Sequence, residues 1–368
     1  MAEMTYRQRL LGTLSYQKVD RAPDMEFFAW SQTMDRWKTE GMPKDVTNFN
    51  EYFGLDDVYG GPWIATGLCP GFVFKVLEDK GDHLIVSDAD GAICEQAKVG
   101  ASIPKYLKYA VESRADWEKL AAERLDPNNP DRISKNWPEL CATCTDDRPF
   151  VTQVFPGSLY GLIRNWLGVE RLSVVLYDDY AWVEAMMEHL TRLSLAQFEK
   201  LAGKYTIDWA IWWEDMCYNH GPLMSPAMFR DLMVPRYRRI TDFLRNEFGC
   251  TLNLVDCDGN VHELAGLWLE GGVNVQFPIE VAHTDGYRLA REFGKRLAFR
   301  GGFDKRALIA GPAAIDAELA RIRPLYERGG LIPHTDHLVP PDVSFENYLY
   351  YRRRKCEFIG KPWVEPRR

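Results

Sequence analysis

Short apolar runs alternate with longer amphipathic tracts along most of the chain, and this rhythm is the strongest structural signal in the sequence. The apolar runs lack the strict alternation of a sheet with one solvated face, so they are typical of strands buried on both faces. The tracts between them carry apolar residues at helical spacing, and one of them begins at Ser225-Pro226, a pattern typical of a helix start. The predicted strands cover residues 23–30, 151–155, 207–213, 251–256, 273–277, 296–302 and 330–333, and the predicted helices cover 5–18, 158–204 with breaks near Gly168 and Asp178–Asp179, 226–247, 260–270, 284–294, 304–309, 312–328 and 343–357.

This order of roughly eight strand–helix units predicts an α/β fold, a (β/α)8 TIM barrel, with a doubly wound sheet as the alternative. Residues from about 40 to 125 interrupt the rhythm, and within them residues 83–99 are predicted as a β-hairpin that turns at Asp88–Gly91. We therefore predict one domain, residues 1–368, in which an irregular, partly β-hairpin excursion after the first strand roofs the site. No G-x-G-x-x-G follows a predicted strand and no P-loop is present, which disfavours nucleotide binding.

Composition narrows the class of protein. The chain has 368 residues, 46% of them hydrophobic, which is enough for a large core, and its net charge of −8 argues against nucleic acid as the main partner. It contains no apolar run long enough to span a bilayer and no N-terminal signal pattern, so we expect a cytoplasmic protein that does not bind membranes. The eight cysteines are scattered, which predicts reduced thiols, and the pair Cys141 and Cys144 lacks the second pair that a zinc knuckle needs.

Two predicted strand ends carry most of the candidate chemistry. The strand at 251–256 leads into Asp256 and Asp258, and the strand at 330–333 leads into His334, Asp336 and His337. In a barrel the site lies at the carboxyl ends of the strands, and carboxylates with histidines suit either a divalent metal or general acid–base catalysis. A structural explanation competes for Asp258, which could equally cap the following helix, whereas Asp256 lies in a strand, where aspartate is disfavoured.

Two further residues at strand ends have alternative explanations. Glu214 follows two tryptophans, and such apolar surroundings would raise its pKa and suit it to act as an acid, or it simply begins a loop. The guanidinium of Arg300 matches a substrate carboxylate, but an internal salt bridge with Asp304 or Glu280 is the favoured explanation.

Several motifs along nearly the whole chain match one known family. They are RQRLLGTLSYQKVDRAP near the N-terminus, PGSL after the strand at 151–155, and LMSPAMFRDLMVPRYRRI at 223–240. VDCDGNVHELAGLWLEGGVNVQFPIE at 255–280 and GGLIPHTDHLVPP at 329–341 complete the set. With these motifs the chain resembles the uroporphyrinogen decarboxylase superfamily, and the resemblance implies a (β/α)8 barrel with its site at the carboxyl ends of the strands.

The resemblance also implies two chemistries. Decarboxylases of the superfamily carry an arginine-rich loop after the first strand, whereas this chain has EFFAWSQTMDRW there, and their catalytic Tyr and late His positions fall on Leu162 and Asp336. Corrinoid-dependent methyltransferases hold zinc with an H-x-C pair and a late Cys, and these positions hold Asp256, Asp258 and Asp336 in this chain. The resemblance therefore implies a site of carboxylates and histidines in place of thiolates.

These observations predict an enzyme that transfers a methyl group from a small O-, N- or S-methyl substrate to a corrinoid protein, assisted by zinc or another divalent metal. The alternatives are a decarboxylase of a carboxylated substrate, porphyrinogen-like or smaller, and a barrel that only binds a ligand. The resemblance suggests a homodimer by analogy. The predicted catalytic residues are Glu214, Asp336 and His337, the predicted metal ligands are Asp256, Asp258 and His334, and the predicted substrate-binding residues are Glu26, Tyr160, Glu280 and Arg300.

Overall fold

The structure is a computed structural model, and it describes residues 3–100 and 103–367. Strands and helices are numbered in chain order. The strands are β1 Tyr59–Gly60, β2 Lys75–Asp79, β3 His83–Ser87, β4 Ile93–Ala97, β5 Lys105–Lys108, β6 Val151–Val154, β7 Trp209–Trp213, β8 Cys217–Tyr218, β9 Gly221–Pro222, β10 Leu252–Asp256, β11 Val275–Ile279, β12 Ala298–Phe303 and β13 Leu331–Thr335. The α-helices are α1 Tyr6–Leu14, α2 Ser31–Thr39, α3 Phe49–Tyr52, α4 Arg114–Arg124, α5 Trp137–Ala142, α6 Gly161–Leu167, α7 Val169–Asp178, α8 Tyr180–Glu199, α9 Pro226–Leu232, α10 Val234–Phe248, α11 Ala265–Glu270, α12 Gly286–Phe293, α13 Arg306–Ala310, α14 Pro312–Glu327 and α15 Phe345–Ile359.

The main sheet has seven strands in the order β1-β6-β7-β10-β11-β12-β13, and every pairing in it is parallel. From β6 onward the chain returns between successive strands of this sheet through helices, as parallel pairing requires. Apolar side chains from β6, β7, β10, β11, β12 and β13 meet in a single buried cluster, to which α1 also contributes. Strands that are not neighbours in the sheet contribute to the same cluster because the sheet curls around it. The α/β class and a curled parallel sheet are therefore confirmed.

Residues 23–30, predicted as the first strand, do not form a regular strand. A single parallel bridge joins Ala29 to Val339, and Phe28 immediately before it has a φ of +63°, which interrupts the extended conformation. The strand that pairs with β6 is instead β1, Tyr59–Gly60, which lies inside the predicted excursion. The prediction of a first strand at 23–30 was therefore wrong, and the described residues give the sheet seven strands where about eight were predicted.

The other six predicted strands are present, and their ends differ from the predicted ends by at most two residues. The predicted helical tract at 158–204 is divided at Gly168 and Asp179 into α6, α7 and α8, as expected. At the start of α9, the hydroxyl of Ser225 accepts a hydrogen bond from the backbone N–H of Met228 at 3.2 Å. The predicted cap at Ser225 is thus confirmed.

The segment between β1 and β6 contains a separate antiparallel sheet in the order β2-β3-β4-β5. Strands β3 and β4 form a hairpin whose turn is organised by Asp88, which accepts hydrogen bonds from the N–H groups of Asp90 and Ala92 at 3.0 and 2.8 Å. Gly91 supplies the positive φ of 83° that this turn needs.

Within the two described ranges, no helix combines the length and the apolar composition that crossing a membrane would require.

Candidate active site

Three aspartates come together where β7 and β10 end. Asp256 is the last residue of β10, Asp258 follows it by two positions, and Asp215 follows β7, whose Trp213 lies opposite Asp256 in the parallel register. One carboxylate oxygen from each of the three residues lies within 4.8 Å of the other two. We call Asp215, Asp256 and Asp258 the acidic cluster. It lies at the carboxyl ends of the strands, where barrel enzymes carry their sites.

Mutual repulsion and burial shape the electrostatics of this cluster. The pKa of Asp256 is raised well above its ordinary range, first by burial and then by the charges of Asp215 and Asp258, while Arg300 opposes the rise. Burial, followed by the charge of Asp258, also raises the pKa of Asp215. Among the described residues, no side chain or backbone group donates a hydrogen bond to the carboxylate of Asp256. Carboxylates held this closely need either a proton or a bound cation.

One arginine and one histidine border the acidic cluster. A guanidinium nitrogen of Arg164 lies 3.8 Å from an oxygen of Asp215 and another donates to its backbone carbonyl at 2.5 Å. His337 places its Nε2 at 3.3 Å from Oδ2 of Asp258, while Oδ1 of Asp258 is buried without a partner. The ring of His337 also contacts Phe27, at 5.3 Å between ring centroids. The predicted neighbours Asp256, Asp258 and His337 are thus found at one site.

His334, predicted as a metal ligand, lies apart from this cluster. Its side chain is fully buried and contacts Phe27 and Phe277, with ring centroids at 6.4 and 5.7 Å. Its Nδ1 donates to the backbone carbonyl of Thr335 at 2.7 Å, and burial, together with the charges of Arg300 and Lys355, lowers its pKa well below the ordinary range. The groups that lie close enough together to hold a cation are those of the acidic cluster, with Asp215 in the place predicted for His334.

Comparisons with known proteins identify the family of the chain. The family model Uroporphyrinogen decarboxylase (URO-D) matches residues 156–352, which is more than half of the chain and contains the whole acidic cluster. The chain belongs to this family. The uroporphyrinogen decarboxylase of Xanthomonas euvesicatoria pv. vesicatoria is 29% identical over 137 residues, which cover 34% of this chain and 37% of the relative. That of Pseudomonas paraeruginosa is 27% identical over 179 residues, which cover 47% of each chain.

The chain therefore spans less than half of the length of these curated relatives. Among solved structures, a methyltransferase from Methanosarcina mazei superimposes on this protein with a TM-score of 0.55 and 16% identity, over 97% of this chain and 99% of the other. At this identity the likeness is one of fold.

In this uroporphyrinogen decarboxylase family member, Glu214 is a structural clamp. Its fully buried carboxylate accepts five hydrogen bonds, from the N–H groups of Leu159, Tyr160 and Gly161 and from the hydroxyls of Ser158 and Tyr237, at 2.5 to 3.0 Å. A carboxylate offers about four lone-pair positions, so no acceptor position is left for a substrate. The oxygens of Glu214 hold the turn between β6 and α6, and this bonding disfavours the predicted catalytic role, which stays a prediction.

Asp336 and Glu280 also bind backbone groups of the loops at this rim. The two oxygens of Asp336 accept from the N–H groups of Val281 and Lys305, both at 3.0 Å, and burial raises its pKa to about 6. Glu280 accepts from the N–H of Gly259 at 2.7 Å, which fixes the turn that follows Asp258. Both residues therefore position neighbouring loops. The catalytic role predicted for Asp336 and the substrate-binding role predicted for Glu280 remain predictions.

The other predicted substrate-binding residues lie in different surroundings. Glu26 is buried and accepts hydrogen bonds from Arg352 at 2.9 Å and Lys355 at 2.6 Å, so its carboxylate is already paired within the protein. Tyr160 is fully buried, and its hydroxyl has no partner among the described residues. Arg300 is buried as well and forms no salt bridge with Asp304 or Glu280, the partners expected from the sequence.

Asp215 is the site residue that the prediction omitted in favour of its neighbour Glu214. In β7 the side chains of Trp209 and Ile211 face the core inside the sheet, but the strand ends at Trp213 and Asp215 adopts a φ of +42°. The alternation of a strand therefore does not extend to Asp215, and strand period alone did not predict its place in the cluster.

Proposed function

We propose that this protein is an enzyme that transfers a methyl group from a small O-, N- or S-methyl substrate to a corrinoid protein, at a divalent metal bound by the acidic cluster. The observation that carries the proposal is the convergence of three carboxylates within 4.8 Å, at the strand ends where the fold places catalytic sites. The carboxylate of Asp256 has no hydrogen-bond donor among the described residues, so it is free to bind a cation.

The donor set fits such an ion. Carboxylate oxygens with one imidazole nearby suit Zn²⁺, Mn²⁺ or Mg²⁺, and they differ from the thiolate set that the family resemblance implies for zinc in its methyltransferases. Asp215, Asp256 and Asp258 would hold the ion, and His337 is the nearest imidazole. When bound, the metal would act as a Lewis acid on the heteroatom that loses its methyl group.

The protein's own side chains would orient the substrate and supply the proton that the leaving heteroatom takes up. Asp258 holds Nε2 of His337 at 3.3 Å, which orients the imidazole to give a proton to the leaving heteroatom. The rings of Phe27 and Trp30 lie 5.3 and 6.5 Å from that of His337 and would give the site an apolar wall. A wall of this kind would exclude water from a small methylated substrate.

Residues 24–30 and the antiparallel sheet would complete the enclosure of this site. Residues 24–30 would complete the barrel as an irregular eighth segment, since Ala29 bridges Val339 beyond β13 and the N–H of Asp56, just before β1, donates to the carbonyl of Asp24. The antiparallel sheet β2–β5 would roof the site of this single domain. We further propose a homodimer that acts in the cytoplasm.

A second candidate is decarboxylation of a carboxylated substrate. The observation in its favour is that the curated relatives at 27 to 29% identity are uroporphyrinogen decarboxylases. In that reaction an acidic group at the rim would protonate the carbanion left by carbon dioxide.

One experiment separates the two candidates. Purified protein loaded with Zn²⁺ or Mn²⁺ would be incubated with a reduced corrinoid protein and a panel of methoxylated aromatic acids, methylated amines and methyl thioethers, with methylcobalamin formation followed by absorbance. The proposal predicts metal-dependent methylation of the corrinoid, abolished in Asp256→Asn. Metal-independent release of carbon dioxide from a carboxylated substrate, without methyl transfer, would establish the decarboxylase instead.

A further inference from the structure

Arg300 is a buried cation that has neither an ion-pair partner nor a hydrogen-bond acceptor among the described residues. It lies on β12, keeps 7% of its surface exposed, and forms no hydrogen bond with any of the described residues. No carboxylate oxygen in the described ranges lies within 4.0 Å of its nitrogens, and its Nε is fully buried without an acceptor. A charged group that is taken out of water in this way is costly unless an anion or hydrogen-bond acceptors compensate it.

The other buried arginines show that this condition is exceptional in the protein. Each of the five has its guanidinium paired with carboxylates or surrounded by backbone carbonyls. Arg9 pairs with Asp20, Arg148 with Asp208, Arg236 with Glu184 and Glu188, and Arg352 with Asp24 and Glu26, while Arg132 donates to the carbonyls of Ala65, Gly67, Arg124 and Asp126. Among the described residues, Arg300 is therefore the one buried arginine whose partner is missing.

The surroundings of Arg300 leave the edge of its guanidinium available. Its central carbon lies 4.6 Å from the ring centroid of Phe277 and 5.5 Å from that of Trp209, so aromatic rings take up its apolar faces. The N–H groups point outward in the plane between those faces, in the geometry that matches a carboxylate. His334, which also contacts Phe277, has its Nε2 fully buried without a partner.

We infer that Arg300 binds the carboxylate of a small-molecule substrate inside the barrel, below the acidic cluster. His334 would add an acceptor at Nε2, because its Nδ1 already donates to Thr335, and this acceptor fits a hydroxyl or protonated oxygen beside the carboxylate. The inference rests on the proposed function and names its substrate class: a carboxylic acid whose reacting group lies toward Asp256. In methyl transfer the carboxylate would be an anchor that remains in the product.

Two internal carboxylates compete with this explanation. Asp57 and Asp256 are close enough to influence Arg300 electrostatically, but neither forms an ion pair with it. If they were its structural partners, removing the guanidinium would leave a buried acid uncompensated and destabilise the protein. If Arg300 is instead the binding site of a ligand, removing the guanidinium would remove an unpaired buried charge and stabilise the ligand-free protein. The two explanations thus predict opposite changes in melting temperature.

The test is a thermal melt of the full-length wild-type protein and Arg300→Met, each alone and with benzoate, benzamide or inorganic phosphate. We expect benzoate to raise the melting temperature of the wild type by about 2 °C or more at saturation, and benzamide to have no such effect. Arg300→Met should melt at or above the wild-type temperature without ligand and should not respond to benzoate. Arg236→Met is the matched control, since Arg236 is also 7% exposed but is paired, so this variant should melt lower and keep its response to benzoate.

A wild-type protein that does not respond to benzoate, or responds equally to phosphate or benzamide, would overturn the inference, as would an Arg300→Met protein that melts well below the wild type. Binding of Mn²⁺ is measured on the same samples to separate this result from the proposed function. If benzoate raises the melting temperature but Mn²⁺ does not bind, only the proposed metal site is contradicted. If Mn²⁺ binds but benzoate has no effect, only the proposed carboxylate site at Arg300 is contradicted.

Discussion

Replacing Glu214 with glutamine tests whether this buried group is a structural clamp or a catalytic acid. In the structure, Oε1 accepts from the N–H of Leu159 and the hydroxyl of Tyr237, and Oε2 accepts from Ser158, Tyr160 and Gly161. A glutamine side chain is nearly isosteric, but its amide nitrogen cannot accept a hydrogen bond.

The size of the effect follows from these contacts. The less damaging orientation places the amide nitrogen at Oε1, where the hydroxyl of Tyr237 can turn to accept but the N–H of Leu159 loses its acceptor. The three bonds to the remaining oxygen also lose their negatively charged acceptor. Hydrogen bonds to charged groups contribute about 1.5–3 kcal/mol each, so we expect Glu214→Gln to lower the free energy of unfolding by about 3–5 kcal/mol.

Equilibrium unfolding in urea, followed by tryptophan fluorescence, measures this loss. Tyr237→Phe is the control, because it removes one donor and leaves the backbone contacts intact, so it should cost about 1.5–3 kcal/mol. A Glu214→Gln protein that unfolds within about 1 kcal/mol of the wild type but has lost turnover would refute the clamp and restore the role of acid predicted from the sequence.

Two other perturbations test the electrostatics of the interior. Burial raises the pKa of Asp57 to about 6 in the folded protein, so the folded state binds the proton of Asp57 more tightly than the unfolded state does. The free energy of unfolding therefore falls as the pH rises from about 4 through about 6, and Asp57→Asn should remove a part of this fall that is at most about 3 kcal/mol. Urea unfolding curves with the same pH dependence in both proteins would contradict this prediction. Arg352→Met should cost about 3–5 kcal/mol of unfolding free energy, because it leaves Asp24 and Glu26 buried beside an incomplete set of cations. Arg367→Met, at an exposed pair with Asp45, should leave stability nearly unchanged, and similar losses in the two variants would show that the buried network is not the source.

The sequence predicted those parts of the fold that depend on local pattern. Six strands were recognisable because each is an apolar run long enough to cross the sheet and ends at polar or glycine residues. The segment at 23–30 carries the same pattern, but Asp24 and Glu26 are directed to the buried cations of α15, and Phe28 adopts a positive φ. Those pairings join residues more than 300 positions apart, so no local pattern contains them.

The sequence predicted the location of the candidate site, but not all of the residues that form it. Asp256 and Asp258 were identified because aspartate at the end of an apolar strand has few structural explanations, and His337 was found beside them as expected. Glu214 and His334 were assigned roles from their residue type and their positions at the ends of predicted strands. Their surroundings depend on which way each side chain faces. Glu214 faces the backbone of the turn before α6, and His334 faces the interior aromatic residues.

The proposed function depends on the binding of a divalent cation by the acidic cluster. Isothermal titration of chelator-treated protein with Mn²⁺ and Zn²⁺ tests it directly, on the wild type, Asp256→Asn and the control Asp304→Asn, whose carboxylate is paired with Arg306. One ion per chain should bind to the wild type and to Asp304→Asn. In Asp256→Asn the affinity should fall by more than the roughly 10- to 100-fold seen when an outer-shell partner of a metal is removed. A wild-type protein that binds neither ion, or an Asp256→Asn protein that binds as tightly as the wild type, would contradict it.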